Sequence, residues 1–391
     1  MGKNKFLTAF FLILVLCVFL TTCGDKEEIT PQSPQDFDDI SANELMEKIR
    51  IGWNLGNTLE THGNSDTGYH WLGGGSYSGT SVSEMETAWG NPQASKANIN
   101  ALNKAGFNAV RIPVTWYKAV SGPDYKIRAD WMRRVISVVN YAAENDMYII
   151  LNTHHDEHIF KFMDNEMEKS KKAFQSIWEQ IALTFINYNE KLIFEGLNEP
   201  RTVGGPGEWN GGTPEQRDNL NILEQLFVDT VRATGGNNEK RILIVSSYAA
   251  SAEKAAMDGV AIPDDPLNSI NKIIVSIHSY TPYAFALSTG PVNTWNINNL
   301  SDTSPITMWM DYAFDIFISK GIPVVGGEFA ANAKDNEEAR AEWAKFYVGY
   351  AKSKGIKCFW WDDGGNMRLL NRGNNSFHFP LIKDALMSAS Q

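Results

Sequence analysis

From residue 49 onward the chain repeats one unit: a short apolar run, a polar or aromatic residue at its end, then a longer stretch of helical period. Eight such runs can be marked, at Ile49–Trp53, Ala109–Val114, Tyr148–Asn152, Leu192–Leu197, Arg241–Ser246, Ile273–His278, Pro323–Glu328 and Lys357–Trp361. Several are apolar at nearly every position rather than at alternate ones, as a strand covered on both faces requires. Between them, Met132, Val135, Ile136, Val139 and Ala143 return at helical spacing, as do Phe174, Ile177, Trp178, Ile181 and Phe185, and then Trp343, Phe346, Tyr347 and Tyr350. Strands alternating with helices predict a parallel sheet with crossover connections. Eight units in about 340 residues predict a closed (β/α)8 TIM barrel of a single domain, spanning 41–391. A doubly wound open sheet is the other architecture that this alternation allows.

Charge and cysteine content narrow the partners. With 35 Lys and Arg against 46 Asp and Glu, the net charge is -11, and no basic cluster offers itself to phosphates, which excludes nucleic acid. Three cysteines, Cys17, Cys23 and Cys358, are too few and too scattered for a disulfide framework or a thiolate zinc site. Cys358 lies in an apolar run and reads as a buried structural thiol.

The first 22 residues read as an export signal, with Lys3 and Lys5 ahead of an apolar run, Phe6–Leu20, that is too short to cross a bilayer. Removing those two lysines takes the net charge from -11 to -13. Leu20-Thr21-Thr22-Cys23 resembles a bacterial lipobox, which implies acylation of Cys23, although Thr22 departs from the usual small residue. Gly24-Asp25-Lys26-Glu27-Glu28 is similar to the acidic stretch of surface-exposed lipoproteins in Bacteroidetes-type bacteria. The expectation is a monomer held to the outer membrane by this lipid and exposed at the cell surface, with a secreted or periplasmic form as the alternative. Residues 23–40, with Pro31 and Pro34 and no apolar period, read as anchor and linker, and folded structure is expected from about Ser41.

A TIM barrel places its chemistry where strands end. The ends here read Trp53-Asn54, Arg111, Asn152-Thr153-His154-His155, Asn198-Glu199-Pro200, Ser246-Ser247-Tyr248, His278-Ser279-Tyr280, Glu328-Phe329 and Trp361-Asp362. Glu199 and Glu328 end the fourth and seventh strands and can face each other across the mouth. A single strand-end glutamate can merely cap a loop; two of them accompanied by Arg111 and Asn198 suit paired-carboxylate chemistry. In retaining glycoside hydrolysis one carboxylic acid protonates the leaving oxygen while a carboxylate roughly 5–5.5 Å away attacks the anomeric carbon. The acid requires a raised pKa and the nucleophile the reverse. Arg111 is placed to hold Glu328 ionised, and Asn198 to bond a sugar hydroxyl. His278 and Tyr280, two residues apart, share a side of their strand and can position the carboxylates.

His154-His155-Asp156-Glu157-His158 is dense in metal-ligand types but lacks the H-E-x-x-H spacing, and adjacent strand-end histidines should point in opposite directions, so no metal and no cofactor are expected. Alternation sends one of Trp360 and Trp361 into the mouth, where an indole can stack on a pyranose face. The long connection Thr58–Asn91, with Tyr69, His70, Trp71 and Tyr77, reads as a binding loop, while Trp131 and Trp178 read as packing.

Taken together, Ile51-Gly52-Trp53-Asn54-Leu55-Gly56-Asn57-Thr58-Leu59-Glu60, Val110-Arg111-Ile112-Pro113-Val114, Asn152-Thr153-His154-His155, Leu197-Asn198-Glu199-Pro200, His278-Ser279-Tyr280-Thr281-Pro282-Tyr283, Gly327-Glu328-Phe329 and Trp360-Trp361-Asp362 resemble glycoside hydrolase family 5, and within it the subfamily 4 endoglucanases. The resemblance runs from about residue 41 to the end. It implies retaining cleavage of β-1,4-glucan backbones, with Glu199 as acid/base and Glu328 as nucleophile. It also implies support from Arg111, His154, Asn198, His278, Tyr280 and Trp361, sugar contacts from Asn57, His155 and Trp361, and a non-proline cis peptide after Trp361. Ala330 stands where many relatives carry glycine. Xyloglucan, mixed-linkage glucan and soluble cellulose are the candidate chains, the first two favoured by a tethered protein without a separate carbohydrate-binding module. The rivals are an endo-β-mannanase on the same fold and a non-catalytic glycan-binding lipoprotein.

Overall fold

The computed structural model describes residues 30–62 and 81–391. The export signal, Cys23, Tyr69, His70, Trp71 and Tyr77 lie outside the described residues. Eight parallel strands close into a barrel: β1 (Gly52–Leu55), β2 (Ala109–Ile112), β3 (Tyr148–Asn152), β4 (Leu192–Glu195), β5 (Leu243–Ser251), β6 (Ile273–His278), β7 (Val324–Phe329) and β8 (Lys357–Asp362). Each pairs with its neighbours in sequence, and β8 closes on β1 with Trp53 opposite Trp360. The TIM barrel expected from the alternation is therefore the fold, and the open sheet is not.

The pleat explains the run pattern. Residues on the outer face, among them Val110, Ile149, Leu151, Phe194, Val245, Val275 and Trp360, join one large core with the surrounding helices. These include α2 (Ala129–Ala143), whose Trp131 is buried, and α3 (Met167–Thr184), whose Trp178 is buried. The inner face changes character along the barrel axis. Its floor is apolar, with Tyr148, Ile150, Ile193, Ile244, Ile274, Val325 and Phe359 in a second core. One step further along the same inward phase stand Asn54, Arg111, Asn152, Glu195, Ser246 and Ser276, all buried. The floor is plugged by α1 (Ala42–Lys48), which begins in a capping box at Ser41 and Glu44 and buries Ala42, Leu45 and Met46 against that second core.

The chain engages the barrel earlier than Ser41. Gln35 N–H donates to the carbonyl of Asn187 at 3.1 Å, Asp38 N–H to Glu190 at 3.0 Å, and Asp39 pairs with Lys272 at 2.6 Å. These partners precede β4 and β6, so the segment read as a linker is bound to the floor over its last residues. Strand limits also differ from the expected ones. β4 stops at Glu195, four residues before Glu199, and β5 runs on to Ser251. The one cis peptide among the described residues is Thr281–Pro282, so the cis bond expected after Trp361 is not present; a proline nitrogen makes cis cheap and a non-proline bond does not.

Candidate active site

Three strands and the turn after β4 deliver side chains onto one guanidinium. Arg111, on the inward phase of β2 and fully buried, donates through Nε to Glu195 Oε2 at 2.7 Å and through Nη1 to Glu328 Oε1 at 2.9 Å. It also donates through Nη1 to Asn54 Oδ1 at 3.0 Å and through Nη2 to Asn198 Oδ1 at 2.7 Å. Burial opposes its charge, but Glu195 and then Glu328 more than compensate and raise its pKa. Because Asn198 spends its oxygen on Arg111, its amide nitrogen is the group that a sugar hydroxyl can engage.

Glu328 reaches the mouth because β7 carries an extra residue. The register slips between Ile277 and His278 against β6, and again between Cys358 and Trp360 against β8, so that His278 stands opposite Glu328. Without that bulge, Glu328 would share the outward phase of Val324 and Gly326. Gly327 is required beside it, since a Cβ there would lie 2.7 Å from both His278 Nε2 and Ser276 Oγ. Tyr280 then donates its hydroxyl to Glu328 Oε2 at 2.7 Å, and burial together with Glu328 drives that phenol's pKa well above its usual value.

Glu199 sits beyond β4 on a turn pinned by Asn198 N–H to the carbonyl of Thr153 at 3.0 Å and by Ala249 N–H to the carbonyl of Pro200 at 2.8 Å. His278 Nδ1 lies 3.0 Å from Glu199 Oε1 and 3.7 Å from Glu328 Oε2, and Arg201 Nη1 lies 3.7 Å from Glu199 Oε2. Burial pushes the Glu199 carboxyl up, but the His278 hydrogen bond and charge, followed by Arg201, bring it below the usual range. That corrects the expectation of a raised pKa in the free site: the pocket around Glu199 holds cations as well as apolar surface.

His154 accepts from Asn152 Nδ2 at 3.2 Å, an assignment that puts its proton on Nε2, and burial keeps its pKa well below the usual value. Its ring stacks on Trp361 at 5.8 Å with planes 11° apart. Trp361 is the half-buried member of its pair, and Trp360 is the buried one, as alternation predicts. Gly56 lets that indole in, since a Cβ there would meet its ring at 2.9 Å. The two histidines do not diverge. The strand ends at Asn152, alternation stops with it, and the rings of His154 and His155 meet edge to face at 4.5 Å.

His155 and Asn57 are placed on the rim but tied to the protein. Although burial opposes it, the His155 pKa is raised by Glu157 and Glu60. Asn57 has a φ of 52° and its carbonyl accepts from Asn91 at 2.9 Å. Elsewhere in the 154–158 cluster, Asp156 Oδ1 accepts from Trp116 and Tyr117 N–H at 2.8 Å each, and Glu157 Oε1 pairs with Arg201 at 3.1 Å. Among the described residues, the trio with ligand atoms close enough for a metal, within 4.8 Å of one another, is Glu199, His278 and Glu328. Arg111, bonded to Glu328, puts a competing positive charge on that position.

Sequence reasoning passed over Glu195, Arg201 and Glu60. Glu195 also accepts from Asn152 Nδ2 at 2.9 Å. It hides inside an apolar run, and its inward parity with Asn54, Arg111 and Asn152 is the signal that would have found it. Glu60 is raised to about 7 by burial against backbone N–H groups of Thr58 and Asn57.

An eight-stranded parallel barrel with two carboxylates facing each other at its C-terminal mouth, one clamped by an arginine and a tyrosine, is the site of a TIM-barrel glycoside hydrolase. The chain belongs to glycosyl hydrolase family 5: the family model for cellulase (glycosyl hydrolase family 5) matches residues 74–366. A broad-specificity endoglucanase of subfamily 4 from Ruminococcus champanellensis, solved with bound cellotriose, is 42% identical, covering 90% of this chain and 100% of that one with a TM-score of 0.83. A lichenase of the same family from Caldicellulosiruptor sp. F32, solved with cellotetraose, is 38% identical over 92% of this chain and 98% of its own, with a TM-score of 0.83. The cellulase/esterase CelE of Acetivibrio thermocellus is 41% identical over 89% of this chain, which spans 40% of that longer protein. Family, barrel and endoglucanase kinship agree with what the sequence resemblance implied.

Proposed function

We propose that the protein cuts internal β-1,4 bonds of soluble β-glucans by double displacement, with Glu328 as nucleophile and Glu199 as acid/base. The observation that carries this reading is the separation of the two carboxylates. Their nearest oxygens are within 4.8 Å, too close for the roughly 6.5–9.5 Å that an inverting enzyme needs to seat a water. Glu328, oriented by Arg111 and Tyr280, attacks the anomeric carbon as Glu199 protonates the departing oxygen. Glu199, again a carboxylate, then draws a proton from the water that releases the sugar. Asn198 offers its amide to a hydroxyl of the reacting ring, and the Trp361 indole, backed by His154, offers it a stacking face.

Mixed-linkage glucan and xyloglucan are proposed ahead of unbranched cellulose. The similarity to a broad-specificity endoglucanase and to a lichenase supports a cleft that accepts more than one backbone. The lipid anchor at Cys23 and the outer-membrane surface location belong to the same proposal, since an attached enzyme meets dissolved polymer more readily than solid. Reducing-sugar release by residues 24–391 on barley β-glucan, tamarind xyloglucan and carboxymethylcellulose tests the substrate. Proton NMR of the first product tests the stereochemistry. An α-anomer as first product would overturn the double displacement and the assignment of Glu328 as nucleophile, and cleavage of carboxymethylcellulose alone would overturn the substrate preference.

A further inference from the structure

The two ring nitrogens of a histidine are linked, because the bond made by one sets which of them carries the proton. His278 meets carboxylate oxygen through Nδ1, 3.0 Å from Glu199 Oε1 and 3.7 Å from Glu328 Oε2. An ionised carboxylate only accepts, so that nitrogen has to donate. A histidine side chain free in water prefers its single proton on Nε2, the opposite arrangement. The site therefore needs a group at the far side of the ring that favours Nδ1–H.

His278 Nε2 is buried and has no hydrogen-bond partner among the described residues, and the same holds for Ser276 Oγ. Both residues belong to β6 at positions two apart, so their side chains leave the same face of the strand. The extra residue of β7 lies between them: Ile277 pairs with Gly326 and His278 with Glu328, which leaves Gly327 unpaired against the two side chains. The point where a Gly327 Cβ would stand is 2.7 Å from each atom, so the two are at most about 5.4 Å apart, twice that separation, and a rotated hydroxyl or a single water with bonds of about 2.8 Å joins them. A side chain at 327 would close that gap. The neighbouring serine is not equivalent: Ser246, opposite Ser276 on β5, donates its hydroxyl to the carbonyl of Leu197 at 2.7 Å, whereas that of Ser276 is uncommitted.

We propose that Ser276 is a positioning residue that holds the His278 proton on Nδ1 by presenting its hydroxyl to Nε2 across Gly327. A hydroxyl both donates and accepts; here it donates to Nε2 of the neutral ring and leaves Nδ1–H aimed at Glu199. Burial makes the pairing worth having, because a ring nitrogen shut away from water without a partner is costly. The acid/base carboxylate is thereby oriented through a chain of hydrogen bonds that starts from a residue buried beneath the reacting centre. The effect on turnover rests on the assignment of Glu199 as acid/base, whereas the position of the proton does not.

Nitrogen-15 NMR of the protein labelled at its seven histidines tests the proposal, with the His278 signals assigned by their loss in His278→Gln. The native ring should show Nδ1 protonated and Nε2 as an acceptor. In Ser276→Ala, checked for a native thermal transition, the proton should pass to Nε2, and kcat on barley β-glucan should fall about threefold to tenfold with KM changed less than about twofold. Ser276→Thr keeps the hydroxyl and should keep the native tautomer and most of kcat. Unchanged His278 signals in Ser276→Ala overturn the proposal whatever the rate does, since a serine that only fills space alters turnover without moving the proton. A native spectrum with the proton on Nε2 and none on Nδ1 overturns it without any variant. Absence of turnover on every β-glucan would refute the proposed function instead, with the native and Ser276→Ala spectra still deciding the role of Ser276.

Discussion

Replacing His278 by alanine is the perturbation whose sign the site geometry determines best. In the native site burial raises the Glu199 carboxyl, and His278 at 3.0 Å is the largest influence bringing it below the usual range, with Arg201 at 3.7 Å behind it. With the imidazole gone, burial is opposed mainly by the more distant guanidinium, so Glu199 keeps its proton to higher pH. A hydrogen bond to a charged group is worth about 1.5–3 kcal/mol. At about 1.36 kcal/mol per pH unit, the alkaline limb of the kcat/KM profile on an aryl cellobioside should move upward by about one to two units. The maximum rate should fall as well, because His278 also stands 3.7 Å from Glu328 and orients both groups. The assay is a pH–rate profile from pH 4 to about 9 with thermal denaturation as the check on folding. An alkaline limb that stays in place or moves downward would refute the account of what holds Glu199.

Two further outcomes follow from groups away from the reacting atoms. Glu195→Gln removes one of the two carboxylates that share Arg111; it should lower kcat by at least about tenfold with a smaller change in KM and cost about 2 kcal/mol of stability, read from steady-state kinetics and denaturant midpoints. Asp156 is raised by burial to about 7 from 3.8, so its stability cost is absent below pH 3.8, grows as pH rises and is complete above pH 7. Asp156→Asn, whose oxygen can still accept from Trp116 and Tyr117, should therefore gain up to about 4 kcal/mol over the native protein above pH 7 and nothing near pH 3.8; a stability gap independent of pH would disprove the cause.

The barrel was readable because strands covered on both faces must be apolar, and eight of them leave few architectures. Their ends were less readable. Once the inward phase turns polar at the top of the barrel, an apolar run no longer tells where pairing stops, which is why the run Leu192–Leu197 overshoots β4 by two residues and hides Glu195 inside it. Alternation placed Trp360 and Trp361 correctly because Trp361 is still in β8. It failed for His154 and His155 because both lie past the end of β3. Arg111 was assigned to Glu328 from position alone, but its sharing with Glu195 depends on which strands neighbour each other around the ring. The net lowering of Glu199 owes most to His278 and then to Arg201, whose approach no spacing in the sequence announces.

The chain enters this domain through its base. Gln35, Asp38 and Asp39 are bonded beneath the strands and α1 seals the floor, while Glu199 and Glu328 stand at the opposite end of the barrel axis. A tether ahead of residue 30 would therefore leave from the end of the barrel opposite the catalytic rim. A long polymer lying across the rim stays clear of the segment that enters beneath the strands.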